Sequence, residues 1–327
     1  SNSYAGTTGE RLLETVTSER LNWDTDKEGN KTLRACYDGI WLRASEDTGI
    51  TWTDAEGRVR FDTEVGDEQL MPAGISLDER TGRLVRFYRG QKADSTCYGY
   101  INQGTYRVFF SVSVDGGGTW TDPVQVIDGS GDHDEDRWGP EIEYGVRGAL
   151  PCGDHSTWLA DGSLLLPLTG YERLDGTKPW YCRVICARGR WNEDGSGLDW
   201  ELGSYFEVGS DKATSGCCEP SITSLGGDKL FMTTRCQGGG PQGLYSTRFS
   251  TVSGDGGMTW SAPEPLLYDD GSPVWTPASV SAFYDSSRTG KTYWIGNILD
   301  GPVHGQVPRY PLRFAEFDPE GRCLVKA

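Results

Sequence analysis

The amino-acid sequence predicts an all-β fold, a β-propeller in which small sheets stack around an axis. Three observations predict it. A short box of the form S-x-D-x-G-x-T-W occurs at Ser45–Trp52, Ser113–Trp120 and Ser253–Trp260, with spacings of 68 and 140 residues, the second about twice the first. Between the boxes runs another repeat: an extended segment, a turn, and a second extended segment. Helical periodicity is almost absent, while Gly (45) and Trp (12) are abundant, which suits short strands joined by tight turns. A unit of about 60–80 residues with about four strands is too small to bury both its faces, so neighbouring units must stack.

The elements follow in order. Gly9–Arg20 (GERLLETVTSER) reads as the second half of a hairpin whose first strand is nearly absent. Leu70–Gly90, Gly153–Glu172, Cys218–Cys236 and Thr276–Asn297 read as complete hairpins from their alternation and turn residues. The spacing calls for another box near residue 190, and Asp194–Trp200 (DGSGLDW) is a degenerate copy there with one extra residue. Phe317–Gly321 (FDPEG) is a weaker echo. Five blades are countable in this way. No linker interrupts the pattern, so residues 1–327 read as a single domain with incomplete first and last blades.

The box itself reads as a turn clip. Ser and Asp side chains can accept hydrogen bonds from backbone N–H groups of a tight turn. The fifth-position glycine takes a backbone angle that other residues resist. The tryptophan then packs between blades. Asp47, Asp115 and Asp255 are therefore structural rather than catalytic.

Bulk properties exclude several roles. A net charge of −17 over 327 residues is opposite to the basic face of a nucleic-acid binder and disfavours anionic membranes. No apolar run reaches the length of a transmembrane helix. Residues 1–10 lack the charged and apolar regions of a signal peptide, as a mature secreted chain would. Nine cysteines leave at least one without a partner in the chain, and their spacings match no zinc pattern. The number favours an oxidising compartment with some disulfides. Asn30-Lys31-Thr32 is a glycosylation sequon.

The S-x-D-x-G-x-T-W box in this rhythm resembles the Asp-boxes of the sialidase superfamily, and the resemblance covers nearly the whole chain. It implies a sialidase-like propeller, for which six blades is the family number. In such a fold, ligands sit at one mouth of the axis. They meet the residues that lead into the innermost strands and those that leave the second strands. Leading in are Met71-Pro72, Asp154-His155, Cys218-Glu219 and Thr276-Pro277; leaving are Arg20, Arg89, Tyr171-Glu172, Arg235 and Asn297.

Glu219 and Arg235 bracket one hairpin, sixteen residues apart, so its return brings them together. The resemblance implies that Glu219 polarises a tyrosine nucleophile and that Arg235 is one of three arginines gripping a sugar carboxylate. Guanidinium groups suit that task because they pair with carboxylates bidentately. Pro308–Asp318 (PRYPLRFAEFD) resembles the family strand that carries another triad arginine; Arg309 is the candidate and Arg313 the second choice, both on one strand face. The family's acid/base aspartate follows the second strand of the first blade, where the loop Leu21–Lys31 offers Asp24 and Asp26. Arg20 and Arg89 sit at comparable strand exits. His155 could hydrogen-bond a sugar or act as a base. Tyr171 and Glu172 could line the pocket wall.

The acidic tract Asp128–Gly145 lacks the glycine and glutamate positions of an EF-hand loop and reads as a solvated loop. Its Trp138 and Tyr144 could contact a glycan rim. Two family features have no counterpart: the Arg-Ile-Pro step before the first hairpin, and the tyrosine nucleophile. The expected function is an exo-α-sialidase-like glycoside hydrolase, secreted or periplasmic, acting on glycans that end in a carboxylated sugar and using no cofactor or metal. The alternatives are a non-catalytic carbohydrate-binding propeller and a uronate-specific polysaccharide lyase that uses His155 and a tyrosine.

Overall fold

The structure is a computed structural model. It describes residues 2–5, 12–25, 31–47, 49–53, 59–60, 64–66, 68–92, 97–98, 106–151, 156–173, 180–239 and 243–326; residues 2–43, 59–60, 64, 69, 91–92, 97–98, 173 and 180 are described by backbone alone. Among the described residues there is no helix, and the strands form five antiparallel sheets.

The first sheet orders Asn2–Ala5, Leu12–Thr25, Lys31–Ser45 and Val59–Arg60, with Cys97–Tyr98 also pairing to Lys31–Ser45. The second runs Glu64–Val65, Glu68–Asp78, Arg83–Lys92, Arg107–Ser113 and Val124–Gln125. In the third, Arg147–Pro151 and Thr157–Trp158 both pair with Leu164–Arg173, followed by Trp180–Trp191 and Leu198–Leu202. The fourth is Cys217–Gly226, Lys229–Cys236, Thr247–Ser253 and Glu264–Pro265. The fifth is Ala282–Asp285, Thr292–Asn297, Leu312–Asp318 and Cys323–Leu324. The main path of each sheet is a meander, and successive sheets contact one another in chain order, which is a propeller-like arrangement.

All three strict boxes join the third long strand of a sheet to its short outer strand, and they repeat one hydrogen-bond pattern. In the second sheet Ser113 Oγ donates to Asp115 Oδ1 (2.8 Å) and accepts from Gly117 N (2.8 Å). Asp115 accepts from Thr119 N (2.9 Å) and Thr119 Oγ1 (2.8 Å). The equivalent bonds recur around Asp47 and Asp255. The fifth-position glycines Gly49, Gly117 and Gly257 have φ of 90, 91 and 89°, a region an L side chain resists. The degenerate box keeps part of this: Asp194 accepts from Ser196 N and Oγ.

Packing between sheets makes the cores. Trp120 packs with Ile75, Leu77 and Leu84 of the second sheet and Ala44 of the first. Trp200 meets Phe87 and Phe110 edge-on, so the degenerate box still supplies a tryptophan between the second and third sheets. Trp260 packs with Leu165 and Cys186 of the third sheet and Leu230 of the fourth. Phe231, Trp294 and Phe317 fill the space between the fourth and fifth. The far face of the fifth sheet leaves Leu312, Phe314 and Tyr284 exposed.

Several local expectations are corrected. The inner strand of the third hairpin starts at Arg147, before the expected Gly153, so Tyr171 and Glu172 lie inside the ladder, opposite Gly148 and Arg147. Trp138 contacts no rim: it is fully buried in the core with Val126, Ile142 and Leu202. The Leu12–Thr25 strand continues past Arg20, which pairs with Cys36, and takes in Asp24, which pairs with Thr32. The alternation of Leu21 and Trp23 answers Ala35 and Leu33 across the ladder, which extends the pairing through the expected loop. Arg309 is not in a strand. The strand begins at Leu312, because Pro308 and Pro311 have no N–H to donate to a ladder.

Candidate functional site

The candidate site lies at the end of the sheets opposite the boxes. In the fourth sheet Ser253, which begins a box, pairs with Leu230 beside the hairpin turn, whereas Arg235 at the other end pairs with Cys218 and Arg248. The register there slips from Cys218↔Arg235 to Ser221↔Thr233, so Glu219 and Pro220 together oppose Thr234. This is a β-bulge, a device that re-aims a side chain. Pro220 suits it because proline cannot donate to the ladder.

Within the bulge Glu219 has φ 47°, a left-handed conformation that costs a non-glycine residue about 1 kcal/mol. Its N–H donates to Thr169 Oγ1 of the third sheet at 3.0 Å. One carboxylate oxygen, Oε1, accepts from Arg235 Nη1 at 2.6 Å, and the other, Oε2, is buried with no hydrogen-bond partner. Burial works to lower the pKa of Arg235, but Cys218, Glu219 and Tyr171 around it outweigh this and hold it above its ordinary value.

A second guanidinium lies beside the pair. Arg248 is the direct cross-strand neighbour of Arg235 and is fully buried. Its Nη2 donates to the Ser279 carbonyl, while Nε and Nη1 have no partner. Burial pulls its pKa down to about 10, opposed by Glu219, Cys236 and Cys218. The hydroxyls of Thr276 and Ser281, in the segment that leads into the fifth sheet, are also buried and unpartnered. Two cations facing one carboxylate leave this end locally positive in a chain of net charge −17. Such an arrangement can hold an anion, and a planar carboxylate best of all. Nothing in the sequence repeat points to Arg248; the only signal available is a charged residue at an inward-facing position of an otherwise apolar and small-residue strand, TRFSTVS.

The other expected residues divide. Tyr171 interacts electrostatically with Arg235 and packs against Met71, Tyr106 and Leu150, so it belongs to this neighbourhood. Glu172 points to the opposite face of its strand. There it pairs with Arg147 (2.9 Å) and Arg183 (3.3 Å), and Arg183 also pairs with Glu207 (2.6 Å). Arg309 is exposed on the loop before the Leu312–Asp318 strand and donates to Gln306 Oε1 at 3.2 Å; Gln306 in turn donates to Gln237, two residues past Arg235. Arg313 pairs with Asp300 at 3.0 Å. Arg89 lies in the second sheet between Met71 and Val108. The side chains of Arg20 and Asp24, and all of Asp26 and His155, lie outside the described residues. No cluster of three metal-ligating side chains occurs among the described residues.

Comparisons bear on this geometry. The profile of a family described as "BNR repeat-like domain" matches residues 39–282. No curated protein matches the chain. Among solved structures, the Hadza microbial sialidase Hz136 is similar at 15% identity over 90% of this chain and 52% of its own, with a TM-score of 0.57. The NanB sialidase from Streptococcus pneumoniae is similar at 12% identity over 99% of this chain and 59% of its own, with a TM-score of 0.56. The intramolecular trans-sialidase from Ruminococcus gnavus is similar at 14% identity over 95% of this chain and 78% of its own, with a TM-score of 0.55. The chain thus spans between half and three-fifths of the first two structures. At these identities the likeness is one of fold.

Proposed function

The chain belongs to the BNR repeat-like domain family, and from that premise we propose that it is a glycoside hydrolase of the exo-α-sialidase kind, acting on glycans that end in a carboxylated sugar. The observation that carries this reading is the Glu219–Arg235 pair: a strained, bulge-borne carboxylate bound through one oxygen while the other is buried and unpartnered. Strain of this kind persists where the surrounding structure over-determines it, as at functional sites.

In this reading the ligand carboxylate meets the guanidinium of Arg235, with Arg309 reaching it from the neighbouring loop. Glu219 accepts a proton through Oε2 from the hydroxyl of the attacking tyrosine that this route requires, a place to which no tyrosine of this sequence is assigned. The phenolate oxygen then bonds to the anomeric carbon as the bond to the leaving oxygen breaks, and a carboxylic acid, Asp24 or Asp26, gives its proton to that oxygen. Water hydrolyses the sugar–tyrosine bond, so configuration is retained. This route is a known exception to the two-carboxylate pattern. The chain's own contribution is positioning and charge: it holds the anion, sets the proton acceptor and keeps both on rigid strands.

A fluorogenic sialoside tests the proposal. Fluorophore release is expected from the native chain and should fall by about 100-fold or more in Glu219→Gln and in Arg235→Ala. Silence on the sialoside together with retained binding to acidic glycans would replace hydrolysis by a carbohydrate-binding role. Unsaturated product from uronate polymers would replace it by lyase chemistry.

A further inference from the structure

Four of the six described free cysteines gather where the third and fourth sheets meet, next to Glu219. Cys182 lies on the Trp180–Trp191 strand, and its N–H donates to the Ser215 carbonyl at 2.9 Å. It forms an isolated parallel bridge with Gly216, two residues before Cys218. Gly216 is confined to glycine, since a Cβ would come within 2.1 Å of the Cys182 carbonyl oxygen, so the two chains are pressed together at this point. The side chain of Cys182 is the largest influence on the Cys218 thiol, so the two side chains are neighbours.

The other two thiols are placed differently. Cys217 and Cys236 oppose each other in the ladder, but both are buried in an apolar cluster with Val184, Phe206 and Met232. Adjacent residues of a strand face opposite ways, so Cys217 turns into that cluster and Cys218 turns away from it. Cys218 as a residue is half-buried.

We propose that Cys182 and Cys218 are a disulfide-forming pair, a covalent staple between the third and fourth sheets immediately before the bulge that carries Glu219. In the reaction the two S–H bonds break and one S–S bond forms. Two electrons and two protons pass to a small-molecule disulfide such as glutathione disulfide, whose S–S bond breaks to give two thiols. The attacking species is the thiolate of Cys218, with Cys182 as the resolving thiol. The neighbouring Cys182 side chain first, and burial second, hold the Cys218 thiol well above its ordinary range. The staple therefore forms during folding under oxidising conditions and is not a fast sensor. It closes a loop of about 36 residues, long enough to restrict the unfolded chain substantially. The inference does not rest on the glycosidase reading.

The test uses the whole chain, refolded in a buffer of reduced and oxidised glutathione. Remaining thiols are blocked with iodoacetamide and the protein is digested without reduction. A linked peptide pair containing Cys182 and Cys218, lighter than the sum by two hydrogens, is expected. The oxidised chain should melt about 5 °C above the reduced one. Cys182→Ser and Cys218→Ser should each abolish that difference. Iodoacetamide labelling of both residues in the folded, oxidised chain overturns the proposal, and so does a linkage of Cys218 to any other cysteine. The peptide map is made on the native sequence, so it decides the matter even if a variant fails to fold.

Discussion

Glu219 carries three constraints that no single one of its neighbours would impose. The bulge turns it out of the ladder, Thr169 holds its N–H, and Arg235 holds one of its oxygens. The box residues show the opposite case, in which every group is satisfied locally and nothing is left for chemistry. In Asp255 burial raises the carboxyl pKa, but hydrogen bonds from Thr259, Ser253 and Met258 outweigh it and leave the value lowered. Two outcomes follow at this scale. Gly117→Ala forces a Cβ onto a residue at φ 91° and should cost about 1–2 kcal/mol, read as a lower thermal midpoint. Asp255→Ala should lower the midpoint in the same way while leaving sialoside turnover by the folded fraction unchanged, because the box is at the end of the sheet away from Glu219.

At the scale of the element, the fourth sheet assembles the site from neighbours in register. A hairpin brings Arg235 back beside Cys218, and the next strand sets Arg248 directly across from Arg235. A buried guanidinium with two unpartnered nitrogens does not serve stability, since apolar replacements of such charges are often neutral or stabilising. Its cost is understandable if it biases the carboxylate beside it. Arg248→Met should therefore keep or raise the thermal midpoint. It should also raise the KM for the sialoside several-fold, because removing the cation beside Arg235 weakens the hold on a substrate carboxylate. A KM that stays in place would assign Arg248 to packing alone.

At the scale of the whole molecule, the sheets are joined mainly through side chains packed between them, and the boxes pin the ends of their strands. Asp47 and Asp115 have pKa values lowered to about 2, by the Thr51 side chain and the Thr119 backbone first among several hydrogen bonds. Their folded values lie below the unfolded one, near 4. The stabilisation is thus complete above about pH 4 and is lost as pH falls from about 4 to about 2. The thermal midpoint should drop across that window, and the drop should be shallower in Asp115→Asn, whose side chain does not titrate.

The repeat was readable because each blade obeys the same local rules. Box, turn glycine and alternating hairpin are all short-range, so Asp47, Asp115 and Asp255 could be assigned to turns and Glu219 paired with Arg235 from spacing alone. Elsewhere local pattern misled. The strand at Arg147–Pro151 was hidden in an acidic, glycine-rich stretch, and it moved Glu172 from a pocket wall into an ion-pair network with Arg147 and Arg183. The prolines around Arg309 took it out of the ladder where alternation had put it.

What the amino-acid order determined alone was the repeating unit, since the turn chemistry and period-two alternation that define a blade act within a few residues. What the tertiary structure decided was which groups from different blades meet: Thr169 on the Glu219 amide, Cys182 on Cys218, and Arg248 against the Ser279 carbonyl. Those contacts join residues 31 to 50 positions apart. They depend on how sheets twist and pack against one another, and a periodic pattern is the same whichever neighbour a blade comes to touch.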